Sequence, residues 1–235
     1  MAKSTKDRDR RAIVEEMRKK QQAAERKRNF VVFAAVAAVG AVIIGFAAAS
    51  YIDTRKAETR DLSDIGVAKA AAGCEPVKTE SAEGSGQHVQ SGEKVDYDAA
   101  PPAYGQHDGN FLRGAEIKNI YSAEDRPPVE RLVHSLEHGY TILWYDETIA
   151  DDEAAMSDVE AIAARYPVGD HVIVAPWTEE DGGAFPEDTH VALTHWTGPE
   201  DQEGVWQYCG KVSGTVVQDF VEEYPNTDAP EPGAI

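Results

Sequence analysis

Cysteine is scarce in this chain of 235 residues, with only Cys74 and Cys209. The two are far apart, so no C-x-x-C pair exists to serve redox or zinc chemistry. The sequence also lacks a G-x-S-x-G nucleophile elbow and a phosphate-binding glycine loop, and it has no internal repeat. Basic residues are few after residue 52, where 12 Lys/Arg stand against 37 Asp/Glu, a formal charge of −25. A surface of that sign repels nucleic acid and draws cations and basic partners. Proline and glycine are missing from the first 39 residues, so nothing there interrupts a helix.

Charge of either sign is absent from Phe30 to Ile52. These 23 residues span roughly 34 Å as a helix, one crossing of a bilayer. Residues 1–29 before it carry 11 Lys/Arg and 5 Asp/Glu, with Arg26, Lys27 and Arg28 at the membrane edge. Positive flanks stay in the cytoplasm, which sets the N-terminus inside and the C-terminus outside the cell membrane. A cleaved signal peptide is the rival reading, but its apolar core is usually about 7–15 residues, shorter than this run. Ala71-Ala72-Gly73-Cys74 resembles the end of a lipobox, yet the apolar run ends some twenty residues too early for one.

The chain then reads as residues 1–29, a basic cytoplasmic helix; 30–52, a transmembrane helix; 53–72, a helical stalk broken by Gly73; 73–225, a globular domain; and 226–235, a Pro-rich tail expected to be disordered. Residues 79–110 are loop-rich, with a short strand expected near Lys94 to Tyr97. From Val129 a short helix or turn runs to His138 and stops at Gly139. Tyr140 to Tyr145 reads as a strand, Asp152 to Arg165 as an amphipathic helix, and His171 to Ala175 as a second strand: a βαβ unit that favours parallel pairing. Val191 to Trp196 and Val205 to Tyr208 add strands, and Val212 to Tyr224 a closing helix. The expected fold is α+β or α/β, a small extracytoplasmic domain with a mixed sheet behind one transmembrane helix.

Both cysteines fall outside the membrane, where disulfides persist, so a Cys74–Cys209 bridge is expected, with two unpaired thiols as its alternative. The most specific local pattern is His134-Ser135-Leu136-Glu137-His138, two imidazoles four residues apart on one helix face with a carboxylate between them. The spacing suits a zinc or copper ion, and formally matches the H-x-x-E-H of inverted zinc peptidases. Gly139 ends the helix at once, which removes the long helix such a hydrolase needs. His88 and His107 lie in the loop-rich segment and can join His134, His138 and Glu137 as ligands, with Asp108 ligating or orienting; the alternative is a structural cluster tied by buried hydrogen bonds. His171, His190 and His195 sit in or beside strands and are read as structural, as are the four tryptophans.

Gly73-Cys74-Glu75-Pro76, His88-Val89, Pro101-Pro102, Gly105-Gln106-His107, the His-x-Leu-Glu-His-Gly core at His134 to Gly139, Ala175-Pro176-Trp177, Thr194-His195-Trp196 and Pro230-Glu231-Pro232 together resemble the domain of unknown function 3105 family. That family is found largely in actinobacteria, and the resemblance extends from about Gly73 to the C-terminus. It implies a shared role for His88, His107, His134, Glu137 and His138, and a basic tail with a single anchor. Besides the lipid bilayer, other membrane-protein subunits are expected partners, for example in a respiratory chain, because Gly40, Gly45 and the neighbouring alanines give the span a small-residue face.

Overall fold

The computed structural model describes residues 2–233; Met1 and the last two residues, which belong to the expected cytoplasmic helix and tail, lie outside the described residues. Two compact units are present, Met1–Arg55 and Lys56–Ile235. Most of the first is one helix, α1, Ala2–Thr59, joining the expected cytoplasmic and membrane segments without a break. Among the described residues it supplies the one stretch, Glu15–Ile52, long and apolar enough to cross a membrane. Its Phe30, Phe33, Val36, Ile43, Ile44 and Phe46 are exposed along their length.

The second unit is a mixed α+β fold around a five-stranded sheet. Its strands are β1 (Lys78–Ser81), β4 (Thr141–Tyr145), β5 (Val172–Pro176), β6 (Val191–Thr197) and β7 (Glu203–Cys209), in the order β1-β7-β6-β4-β5. β4 and β5 are parallel, joined through the helix α4, Glu153–Arg165; the other pairings are antiparallel. The expected βαβ unit is therefore formed. A short helix α3, Glu147–Ala150, precedes α4, and Asp146 and Asp152 cap the two by accepting main-chain N–H bonds.

Alternation along the strands divides the core into two layers. Leu143, Tyr145, Val174, Leu193 and Val205 face α4 and α5 (Gly214–Glu223), meeting Val159, Ile162, Val216, Val217 and Phe220. Ile142, Trp144, Ile173, Trp196 and Trp206 face the other way, onto Leu132, Val133 and Leu136 of α2, Val129–Glu137. With both faces covered, the strands are buried on both sides and read as near-continuous apolar runs. The outer edges differ: β1 is exposed, carrying Lys78 and Glu80, whereas Asn119 and Tyr121 exchange main-chain hydrogen bonds with Val174 and cover β5.

Three expectations give way to a different arrangement. Residues 60–72 are no helical stalk: after Thr59 comes a turn at Leu62–Asp64, and Ile65 and Ala72 are buried in the core. Val67 N–H donates to Val212 C=O and Gly214 N–H to Ile65 C=O, so this segment is stitched to the start of α5. No strand forms at Lys94 to Tyr97, because Val95 N–H is taken by the buried Glu130 carboxylate and Tyr97 OH by the Gln106 carbonyl. Two-residue strands β2 (His88–Val89) and β3 (His107–Asp108) form instead and pair in parallel. The Pro-rich stretch after Tyr224 packs back onto the domain: Ala229 is fully buried, Gly198 N–H donates to Asp228 C=O, and Glu231 N–H donates to Glu137 C=O.

Cys74 and Cys209 form the expected disulfide, next to the antiparallel bridge their backbones make at the end of β7.

Candidate metal centre

The centre grows from two elements that meet on the Trp196 side of the sheet. The short β2–β3 ladder pairs His88 with His107 directly, and a parallel pair sends both side chains to the same face. Their ring centroids are 5.0 Å apart. α2 supplies His134, Glu137 and His138, its apolar positions Val129, Leu132, Val133 and Leu136 turned to the core. The helix ends in a Schellman closure, with Tyr140 N–H donating to Ser135 C=O and Gly139 N–H to Leu136 C=O. Gly139 has φ +92°, and a side chain there would run into the Asn226 carbonyl, so glycine is required. The helix thus stops with its last turn, Glu137 and His138 included, beside the loop strands.

One ligand atom from each of His88, His107, His134 and Glu137 lies within 4.8 Å of the others. Around a tetrahedral zinc ion donors stand about 3.3 Å apart, close to the 3.1 and 3.8 Å that separate Glu137 Oε2 from His107 Nε2 and His134 Nε2, so any closing of the set falls mainly to the other member. His88, the exposed member, has the freedom to do so, while His107, His134 and Glu137 are buried. His138 is not in this group. It joins a second one, with Glu137 and Glu231, within the same limit, so Glu137 belongs to both. The two helical imidazoles expected at one ion thus divide between two ligand groups, although their rings are only 4.8 Å apart.

Each buried imidazole is oriented by a main-chain carbonyl. His107 Nδ1 is 2.8 Å from Gly105 O, His134 Nδ1 is 2.6 Å from Asp108 O and His138 Nδ1 is 3.1 Å from Glu231 O. A carbonyl only accepts, so Nδ1 carries the proton in all three, and in the neutral ring Nε2 keeps its lone pair. This is how metal-binding histidines are commonly held. His107 Nε2 and His138 Nε2 are buried without a hydrogen-bond partner. Glu137 Oε2 lies 3.1 Å from His107 Nε2, in no hydrogen-bond alignment, and 3.8 Å from His134 Nε2.

Electrostatics keep this group ready for a cation. Burial, reinforced by neighbouring imidazoles, pushes His134 down to about 4 despite its bond to Asp108 O, so the ring is neutral at pH 7. Burial by itself raises the Glu137 carboxyl, but the His107 contact and the three nearby imidazoles outweigh it and hold the group ionised, below its ordinary range.

Asp108 orients the site through its backbone, not as a ligand. Its carboxylate accepts from Gly92 N–H and from the Asn110 main-chain and side-chain amides, which override its burial and keep it ionised. Three supporting residues have no sequence signature. Gly86 is needed because a Cβ there would sit 2.6 Å from Glu137 Oε1. Phe111 packs edge-on to His134 and His138, at 5.3 and 4.9 Å. Arg131 holds Phe111 in place by donating to the Asn110 and Phe111 carbonyls while pairing with Glu116. Pro230-Glu231-Pro232 was legible as a motif, yet a ligand role for Glu231 appears only in the folded chain.

The histidines read as structural lie elsewhere. His190 pairs with Asp146, His171 stacks near Tyr140, and His195, within β6, contacts Thr141. The H-x-x-E-H pattern is not set in a long helix, since α2 ends at Glu137 and the further ligands come from β2, β3 and the tail.

A family model described as "Protein of unknown function (DUF3105)" matches residues 88–235, beginning at the first histidine of the site and leaving Cys74 and β1 outside it. No curated protein and no solved structure matches the chain.

Proposed function

Because the chain belongs to the DUF3105 family, whose description assigns no activity, we propose from its site that it is a membrane-anchored, extracytoplasmic metal-binding module. The observation that carries this reading is the tautomer of His107 and His134, fixed by Gly105 and Asp108 carbonyls so that both Nε2 atoms converge with His88 on an ionised Glu137. In both rings the Nδ1–H is spent on a carbonyl, so Nε2 is the atom turned to Glu137. The bound species is divalent zinc or copper. Three imidazoles and a carboxylate suit either, and the thiolate and thioether ligands that select cuprous ion are missing, both cysteines being joined in the disulfide.

Topology supports the same reading. The exposed apolar surface of α1 is covered by lipid, and the arginine and lysine cluster at residues 26–28 holds its start in the cytoplasm of the cell membrane. The acidic domain then faces extracytoplasmic cations, where a Cys74–Cys209 disulfide persists. The span also admits a neighbouring membrane subunit, since a Cβ added at Gly40 or Gly45 meets nothing within 4 Å.

Equilibrium dialysis of the purified full chain in detergent against Zn(II) and Cu(II), followed by elemental analysis, tests the proposal. Stoichiometric retention that falls on His107→Ala is the expected result. No uptake of either ion by the wild-type chain would overturn it.

A further inference from the structure

The second ligand group points to more than one ion. Glu137, His138 and Glu231 each offer an atom within 4.8 Å of the other two, and Glu137 is already a member of the first group. A carboxylate has two oxygens and can serve two ions: Oε2 approaches His107, and Oε1 lies beside Gly86, where no side chain covers it. His138 is the independent indication. It is only 6 % exposed, its Nδ1–H is spent on Glu231 O, and its Nε2 is buried with no partner. An imidazole lone pair left orphaned in the interior costs free energy unless a donor or a cation meets it.

The C-terminal segment is built to complete this position. Glu231 is tied to α2 twice through its backbone, accepting from His138 Nδ1–H and donating to Glu137 C=O. Those bonds leave its side chain free at the exposed mouth of the group. The segment therefore delivers a carboxylate whose main-chain anchor does not depend on the side chain's identity.

We propose that the domain holds a pair of cations bridged by Glu137: one on His88, His107 and His134, the other on His138 and Glu231. This rests on the metal-binding reading above and deepens it. The two positions differ in chemistry, three nitrogens at the first and one nitrogen with carboxylate oxygen at the second, so the second is the harder site and the weaker for zinc.

The test is zinc stoichiometry of the full chain in detergent, by equilibrium dialysis with millimolar Mg(II) present to displace ions from surface carboxylates. Two zinc ions per wild-type chain are expected, one in Glu231→Gln and in His138→Gln, and none in Glu137→Gln. One ion in the wild type, unchanged in Glu231→Gln and His138→Gln, overturns the pair and leaves the first site standing. One ion retained by Glu137→Gln overturns the bridge. No zinc in the wild type overturns both readings. Folding of each variant is read from its far-UV spectrum and unfolding midpoint, and Glu231→Gln, which keeps every main-chain bond, carries the decision if His138→Gln fails to fold.

Discussion

His107 Nε2 stands 3.1 Å from Glu137 Oε2 while its Nδ1 donates to the Gly105 carbonyl. The Nδ1–H is committed to that carbonyl, so Nε2 is the atom turned to the carboxylate, and a cation placed between them meets both. Glu137→Gln replaces that oxygen with an amide able to donate. Metal-free stability is expected to hold or rise while metal affinity falls by more than about 100-fold, exceeding the 10–100-fold typical of lost outer-sphere partners. Thermal unfolding with and without Zn(II) checks it: the ligand-induced rise in Tm disappears. A variant that loses stability without metal but keeps the zinc-induced shift contradicts this account.

Gly86 is the second point of leverage. Gly86→Ala forces the Glu137 carboxylate aside, because Oε1 lies 2.6 Å from where the new methyl would be. The fold has little else at stake there, so zinc affinity is expected to drop roughly 10- to 100-fold with a small change in unfolding midpoint. Competition against a chromophoric chelator measures the loss.

Acid should destabilise the metal-free domain as pH falls from about 6.5 towards 4. His195 is buried within β6, and that burial pushes it down to about 4. In the unfolded chain it titrates near 6.5, so the unfolded state binds more protons between these values and stability falls as pH drops through them. Stability from this group is fully present above about pH 6.5. At most it loses on the order of 3 kcal/mol by pH 4. His134, shifted the same way, adds to the effect. Urea unfolding midpoints at a series of pH values report it, and His195→Gln should flatten the profile in that window.

Reduction of the Cys74–Cys209 bond opens a loop of 135 residues. In the chain-entropy model the bond contributes roughly 4 to 5 kcal/mol by restricting the unfolded chain. The double variant Cys74→Ser/Cys209→Ser is therefore expected to unfold at markedly lower denaturant, with its zinc site intact, since neither sulfur is a ligand. Chemical denaturation in zinc-loaded and metal-free forms separates the two quantities.

Topology is checked with reporter fusions. Alkaline phosphatase joined after residue 233 should be active and a fluorescent protein at the N-terminus should glow; the reverse pattern would place the domain in the cytoplasm and remove the case for its disulfide.

Much of the fold was legible because the patterns are strong. The uncharged run from Phe30 to Ile52 sits within a continuous α1, and the strand–helix–strand order from Tyr140 to Ala175 forms the parallel β4–β5 pair. Weak patterns misled. Ile65 stands with Leu62 and Val67 among alanines and charged residues, and its burial against α5 depends on a partner some 150 positions away. Val95 alternates like a strand residue, but the buried Glu130 takes its N–H. The tail has the composition of disorder, yet its few buried contacts and main-chain bonds suffice once a folded surface exists to receive them.

By itself the sequence showed a helix long and apolar enough to cross a membrane, the two cysteines and the histidines that the fold brings together, because length, charge bias and residue motifs are local quantities. Only the tertiary structure decided how those histidines are shared. His134 and His138 have the right spacing for one ion, yet the carbonyls of Asp108 and Glu231, 26 residues before and 93 residues after their respective rings, fix each tautomer and turn the two imidazoles to different groups around Glu137. Hydrogen bonds made across such separations leave no periodic trace in the chain, which is why the histidines could be read from it and their division between two groups could not.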